Sequence, residues 1–269
     1  MPYYQDAALQ AMPEVRRQRL LELVRQRKSI TTLDLVQALG ASAATVRRDM
    51  AILEDLNLLK RSHGGAVTLD TTSAHLPEQA SADYEPAFQE KVVHNHAAKE
   101  RIAQVAADLV TDGSTILLDS GTTSLALAQR LAGRRITVVA LDLKVAEAAA
   151  HNQTEVLIIG GRVRSGLFSV VGPWTDAALQ ALTFDIFFLG ADAIDEQGVT
   201  NSALDEARVK SLAIQSAKQS VVIADHSKFN QRKMAPVCDL AQIDVLITDE
   251  AARPVLQVYA EKFKRLLWA

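Results

Sequence analysis

The chain runs to 269 residues, 48% hydrophobic and 23% charged, which is roughly two domains and too apolar for disorder, while 5% aromatics favour helices on a parallel sheet over an aromatic-rich β-sandwich. A single cysteine, Cys238, excludes an internal disulfide framework, and no uncharged apolar run reaches about 18 residues, so a cytoplasmic protein with no membrane partner is expected. The formal charge of −3 is unevenly placed: residues 1–68 hold ten basic residues against seven acidic, a net of +3, and the other 201 carry nineteen against twenty-five, a net of −6. A small basic unit joined to a larger acidic one suits a first part that approaches phosphates and a second with other work.

From Glu14 to Arg27, Val15, Leu20, Leu21, Leu23 and Val24 mark one helical face and arginines the other. Thr31 with Asp34 three residues on reads as an N-cap and first-turn acid, opening a helix through Leu33, Leu35, Val36 and Leu39 that Gly40 stops. Ser42 can cap a third helix with Val46, Met50 and Leu53 on one side and Ala44, Arg47, Arg48 and Ala51 on the other. Two strands, Leu58–Arg61 and Ala66–Leu69, are expected around the Gly64-Gly65 turn. Residues 70–87, polar and carrying two prolines, read as a linker between a first domain at 1–69 and a second at 88–269.

Beyond the linker, continuous apolar strands (116–119, 136–141, 156–160, 186–190, 221–224 and 245–248) alternate with Ala-rich helices near 97–110, 124–132, 143–150, 174–182, 203–217 and 251–264. That alternation signals a doubly wound parallel sheet buried on both faces.

Three helices followed by a basic hairpin have winged helix-turn-helix geometry. Arg47 and Arg48 would enter the major groove, where an arginine fork can donate two hydrogen bonds to guanine. Ser42, Ala44 and Thr45 would lie against phosphate or a base edge, and Lys60, Arg61, His63 and Gly64 would form the wing on the sugar-phosphate backbone. The rival reading makes the two arginines a solvated face paired with Asp49, Glu54 or Asp55.

The string Ser42-Ala-Ala-Thr45-Val-Arg47-Arg48-Asp49, followed by Arg61-Ser-His63-Gly64-Gly65, resembles the DeoR family of bacterial transcriptional repressors. Further strings continue the resemblance in order: Leu118-Asp119-Ser120-Gly121-Thr122-Thr123, Gly160-Gly161-Arg162, Ser169-Val-Val-Gly172, Leu189-Gly190-Ala191-Asp192, Gly198-Val-Thr200-Asn201 through Glu206 to Lys210, and Ala224-Asp225-His226-Ser227-Lys228. The resemblance implies a double-stranded DNA operator as partner, a phosphorylated sugar as effector, and a sensor domain similar to ribose-5-phosphate isomerase. It also implies no cofactor or metal.

Independently, Asp119-Ser120-Gly121-Thr122-Thr123 sits where a strand meets a helix, so amides, hydroxyls and helix dipole converge on one anion, although a capped tight turn would read the same way. Asp192 and Lys228 follow other strand ends, where open parallel sheets bind ligands. Lys228 could hold a phosphate; Asp192 and Glu206 could accept from sugar hydroxyls, with Lys210 holding Glu206 through an i,i+4 pair. The resemblance adds Arg162 and Asn201 to the effector site. The isomerases carry Asp-Gly-Ala-Asp where this chain reads Leu189-Gly190-Ala191-Asp192, so binding without turnover is the simpler expectation, with a phosphosugar isomerase bearing a DNA-binding module as the alternative. One winged helix grips a half-site, so a homodimer or homotetramer is expected. His94-Asn95-His96 reads as a surface segment before a helix.

Overall fold

The computed structural model describes residues 13–55, 58–62, 64–68, 88–150 and 153–269; the expected linker at 70–87 and His63 lie outside the described residues. The chain divides into an N-terminal unit and a larger C-terminal one.

In the N-terminal unit, α1 (Pro13–Arg27), α2 (Thr32–Leu39) and α3 (Ala43–Asp55) enclose one apolar cluster. Leu20 and Val24 from α1, Leu35 from α2, and Val46, Met50 and Leu53 from α3 meet there, with Leu58, Leu59 and Ala66 closing it. Helical spacing puts those side chains on facing stripes, and burying each is worth about 1.5–3 kcal/mol. Thr31 caps α2 by accepting the Asp34 amide at 3.1 Å, and Gly40 ends it at φ 60°.

The wing has one strand more than the sequence predicts. β1 (Ser29–Thr31) pairs antiparallel with β3 (Gly65–Val67), which also pairs with β2 (Lys60–Ser62). Three residues are too few to show a period of two, so pairing with β3 creates β1. A Cβ on Gly65 would stand 2.1 Å from the Ile30 carbonyl oxygen, so glycine alone lets the strands close.

Ahead of the large sheet come α4 (Phe88–Val93) and α5 (His96–Asp108). There follow β4 (Thr115–Leu118), α6 (Thr122–Leu131), β5 (Thr137–Ala140), α7 (Leu143–Ala149), β6 (Glu155–Ile158), the hairpin β7 (Arg162–Val163) and β8 (Val170–Val171), and α8 (Pro173–Ala181). Next come β9 (Phe184–Leu189), β10 (Ala193–Asp195), β11 (Gly198–Asn201), α9 (Leu204–Gln215), β12 (Ala217–Ile223), β13 (Ala235–Cys238), β14 (Val245–Thr248), α10 (Arg253–Leu256) and β15 (Leu266–Trp268). Seven strands form one parallel sheet in the order β15-β14-β12-β9-β4-β5-β6, and β10, β11 and β13 form a small antiparallel one.

Both faces of the large sheet are covered. Leu117, Val139, Phe187, Val222 and Leu246 pack on one side with Leu179 of α8 and Ala213 of α9. Ile116, Val138, Phe188, Val221 and Ile247 pack on the other with Ile102 of α5, Leu127 of α6 and Val145 of α7. Alternate residues therefore point to opposite cores, which is why these strands read as continuous apolar runs.

The expected helix at 251–264 is not one helix. A 3₁₀ turn (Glu250–Ala252), the four-residue α10, a second 3₁₀ turn (Ala260–Lys262) and β15 replace it. Leu256, Tyr259 and Phe263 are buried at spacings of three and four, so short turns imitate helical periodicity. Nor does the sequence predict the hairpin β7–β8 or the small antiparallel sheet.

The order of the large sheet reverses between β4 and β9: β5 and β6 continue to one side of β4, β12, β14 and β15 to the other side of β9. A crevice opens beyond the carboxyl ends of strands at such a reversal. Asp119 follows β4, and Gly190 to Asp192 follow β9.

Candidate functional site

On α3, Ala44, Arg47 and Arg48 are exposed, opposite the buried Val46, Met50 and Leu53. Among the described residues neither arginine has an ion-pair partner. The carboxylates that could have neutralised them are engaged elsewhere: Asp49 is buried and takes Arg16 Nε at 2.6 Å, and Glu54 accepts the Arg61 amide at 2.8 Å and its guanidinium. The solvated-pair reading therefore fails for these two acids. Ser42 Oγ accepts the Thr45 amide at 3.2 Å and lies 2.8 Å from Thr45 Oγ1, so both hydroxyls shape the start of α3. On the wing, Lys60 is exposed, Gly64 turns the chain at φ 97°, and Arg61 is held against Glu54.

In the C-terminal unit, Gly121 at φ 105° leads into α6, whose N-terminus has no side-chain cap. Ser120, Gly121, Thr122 and Thr123 are half-buried, and Ser124 Oγ in the first turn is fully buried without a partner among the described residues. Asp119 lies beneath, accepting the Ser120 amide at 2.8 Å, the Gly190 amide at 2.9 Å and Lys210 Nζ at 3.0 Å. One carboxylate thus ties the ends of β4 and β9 to α9.

Lys210 does not hold Glu206, as the i,i+4 spacing predicts; it donates to Asp119 and, at 2.9 Å, to the Gly190 carbonyl. Glu206 instead meets Arg164 at 2.6 Å, the Ser169 hydroxyl, and Asn201 Nδ2 at 2.7 Å. Arg162 projects to solvent, 64% exposed, and pairs with Asp205, so Arg164, two residues on, reaches the cluster instead. Asn201 is fully buried, with its Oδ1 unpartnered among the described residues.

Asp192 accepts the Ser202 amide at 3.0 Å and faces Lys91 Nζ at 3.5 Å. Lys228 stands on a 3₁₀ turn (His226–Lys228) capped by Asp225, which takes the Ser227 amide at 3.0 Å. Asn95, expected at the surface, donates to Asp225 at 2.6 Å. Asp249 anchors that turn through the His226 amide at 2.7 Å and ring Nδ1 at 2.8 Å.

The charges set one another's protonation. Burial opposes ionisation of Asp192, but Lys91, Lys210, the Ser202 amide and Lys228 outweigh it and hold the carboxyl well below its ordinary range. Burial likewise works against the Lys210 ammonium, and the carboxylates of Asp119, Glu206 and Asp192 more than offset it, so the lysine stays charged. For Glu206, Lys210, Arg164 and Ser169 overcome burial and lower the pKa. Asp119, the most deeply buried, is raised by burial despite Lys210.

Asp142, after β5, carries no site signal in the sequence. It caps α7 through the Lys144 and Val145 amides at 2.7 and 3.2 Å and faces the Gly121 amide at 3.4 Å, and burial raises its pKa to about 6. The folded protein then holds this proton more tightly than the unfolded chain, so Asp142 supports stability near pH 4 and loses that support as pH rises through about 6. The substitution Asp142→Asn would keep a cap oxygen without a titrating group. The stability of wild type relative to that variant, from urea unfolding, should drop by about 2–3 kcal/mol between pH 4 and pH 7; a difference independent of pH refutes it.

Hydrogen bonds, ion pairs and mutual fields thus join Asp119, Asp192, Asn201, Glu206, Lys210 and Lys228 beyond the strand ends, with Ser120 to Thr123 next to Asp119 in the chain, while Arg162 projects to solvent. Arg164, Ser169, Lys91 and Asp142 stand among the same contacts. Ser169 lies in a string that the sequence singles out; Arg164, just past β7, and Lys91 carry no local signal.

The chain matches the family model of the DeoR-like helix-turn-helix domain over residues 16–72 and that of the DeoR C terminal sensor domain over residues 94–250. It is 34% identical to the HTH-type transcriptional regulator GlpR of Haloferax volcanii, covering 88% of this chain and 90% of that one. It is 30% identical to the glycerol-3-phosphate regulon repressor of Haemophilus influenzae, covering 94% and 96%. A solved ribose 5-phosphate isomerase A from Methanocaldococcus jannaschii aligns at TM-score 0.38 and 20% identity over 50% of this chain and 55% of that one. Winged helix, uncapped helix start at the sheet's reversal, and matches spanning both units agree: the chain belongs to the DeoR family of transcriptional regulators, pairing a DeoR-like helix-turn-helix with a DeoR C-terminal sensor domain.

Proposed function

We propose that the protein is a cytoplasmic, homodimeric or homotetrameric repressor of a carbohydrate-metabolism operon, and that a phosphorylated sugar bound in the sensor, and left unconverted, weakens its grip on operator DNA. The observation that carries the reading is the start of α6 at the sheet's reversal: no side chain caps its first-turn amides, Thr122 and Thr123 add hydroxyls, and Ser124 Oγ is buried without a partner among the described residues. Asp192 and Asn201 are the acceptors nearby for sugar hydroxyls, and Lys228 the cation for the phosphate. On α3, Arg47 and Arg48 are the base-reading pair, with Ser42, Ala44, Thr45, Lys60, Arg61, His63 and Gly64 supporting them on the backbone.

Binding without turnover follows from the state of Glu206. A general base must accept a proton, yet this carboxylate already accepts from Arg164, Ser169 and Asn201 and is held more acidic than usual. Leu189 stands where the isomerases place a second carboxylate. The relative named for the glycerol-3-phosphate regulon points to phosphorylated polyols as the first compounds to try.

The test titrates affinity for operator DNA against a panel of phosphorylated sugars and polyols at fixed salt, since phosphate contacts make affinity salt-dependent. One compound should weaken binding about 5–150-fold. Tighter binding would make the effector a corepressor, and a panel that changes nothing, or steady conversion of any member, would overturn the proposal.

A further inference from the structure

The segment Phe88–Lys99 leads from the end of 70–87 into α5 and is tied to the sensor at four places. At Phe88, the amide donates to the Gly166 carbonyl at 3.1 Å and the ring meets Phe168 edge-on at 5.5 Å. At Lys91, Nζ faces Asp192 at 3.5 Å, and the carbonyl accepts Thr122 Oγ1 at 3.4 Å together with Lys99 Nζ. Asn95, at φ 52° between the two helices, donates to Asp225. Lys99 is buried, and its charge lowers the pKa of Asp225.

Two of these ties use groups that an anion at the start of α6 would also use. A phosphate oxygen is a stronger acceptor for the Thr122 hydroxyl than a peptide carbonyl, because ionised partners roughly double a hydrogen bond. Among the described residues, Lys91 sits at the longest ion pair of the pocket, opposite a carboxylate already served by the Ser202 amide and by the fields of Lys210 and Lys228. A dianion beside it offers the ammonium a better partner. The ties at Phe88 and Asn95 share nothing with that anion and stay as fixed points on either side.

Resting on the anion-site reading above, we infer that Lys91 is a switching residue: an anion seated on Ser120–Thr123 draws the Lys91 ammonium away from Asp192 and so re-anchors the Phe88–Lys99 strap on the start of α6. Through it, occupancy of the pocket reaches the chain that leads back to the DNA-binding unit. The bistable element is local, and the ligand shifts it by binding more tightly the form in which Lys91 faces the start of α6.

The experiment follows amide hydrogen exchange of the full chain by mass spectrometry, with inorganic phosphate as probe and chloride at matched ionic strength as control. Phosphate should slow exchange in the peptide over 119–126 and slow it about fivefold in the peptide over 88–96. Lys91→Met should exchange fast in the strap without phosphate and respond no further, while Lys91→Arg keeps the wild-type response. Unchanged protection of β4 and β9 establishes that each variant is folded. Protection of 119–126 with no change in the strap, or a Lys91→Met strap that responds like wild type, overturns the switching role and leaves the anion site standing. No protection at 119–126 overturns both.

Discussion

Replacing both exposed guanidinium groups, Arg47→Ala with Arg48→Ala, is expected to weaken operator binding roughly 100- to 1000-fold while leaving effector binding and the unfolding midpoint unchanged. A bidentate arginine–guanine contact discriminates by about 1–3 kcal/mol, and two arginines on one helical face supply the range. The folding side of the prediction rests on exposure. Neither side chain packs in the core of the N-terminal unit, and Asp49 and Glu54 keep Arg16 and Arg61 as partners. Fluorescence anisotropy with labelled operator at one salt concentration reads the loss, and a salt series locates its origin. A drop that spares non-specific DNA assigns base contacts; an equal drop on all sequences with a shallower salt slope assigns phosphate contacts. Operator affinity within about threefold of wild type would remove α3 from the interface.

Lys210→Met should destabilise the sensor by about 3–5 kcal/mol, the usual cost of stripping one partner from a buried ion pair. Lys210 and Asp119 are 5% and 2% exposed, so solvent cannot take over the lost charge. Adding Asp119→Asn should recover at least half the loss, because the asparagine oxygen still accepts one amide and no charge is left buried. The pH dependence has a defined sign. Burial already raises the Asp119 pKa, and without Lys210 it rises further, so the variant regains stability as pH falls and Asp119 takes up a proton. In wild type, the raised Lys210 pKa keeps its contribution intact throughout neutral pH, to be lost only when alkali deprotonates it. Urea unfolding at about pH 5 and pH 8 separates the two; a Lys210→Met loss that is the same at both would show that Asp119 is not the stranded charge.

Most strands of the sensor were legible because both faces of the inner ones are buried: a parallel strand between two helical layers is apolar at successive positions, and such runs stand out from their Ala-rich surroundings, although β6 at the sheet's edge leaves Leu157 and Ile158 exposed. The helix α3 was legible for a local reason as well, since Ser42, Val46, Met50 and Arg47-Arg48 fall at helical spacings that separate core from solvent. β1, β15 and the small sheet were not, because strands of three or four residues form only where a partner strand offers its hydrogen bonds. The stretch 251–264 makes the same point, with Leu256, Tyr259 and Phe263 buried through short turns that happen to repeat every three or four residues.

By itself, then, the amino-acid order determined most of the helices and the long strands, that a basic unit precedes an acidic one, and that Ser120–Thr123 joins a strand to a helix. Those properties depend on side-chain type and near-neighbour spacing, which the linear chain carries. Tertiary structure alone decided who neutralises whom: Lys210 with Asp119, Arg164 rather than Arg162 with Glu206, Lys91 with Asp192. Ion pairing depends on distance in space and on burial, and only the placing of β4 beside β9 brings residues 91, 119, 192 and 210 into one low-dielectric crevice.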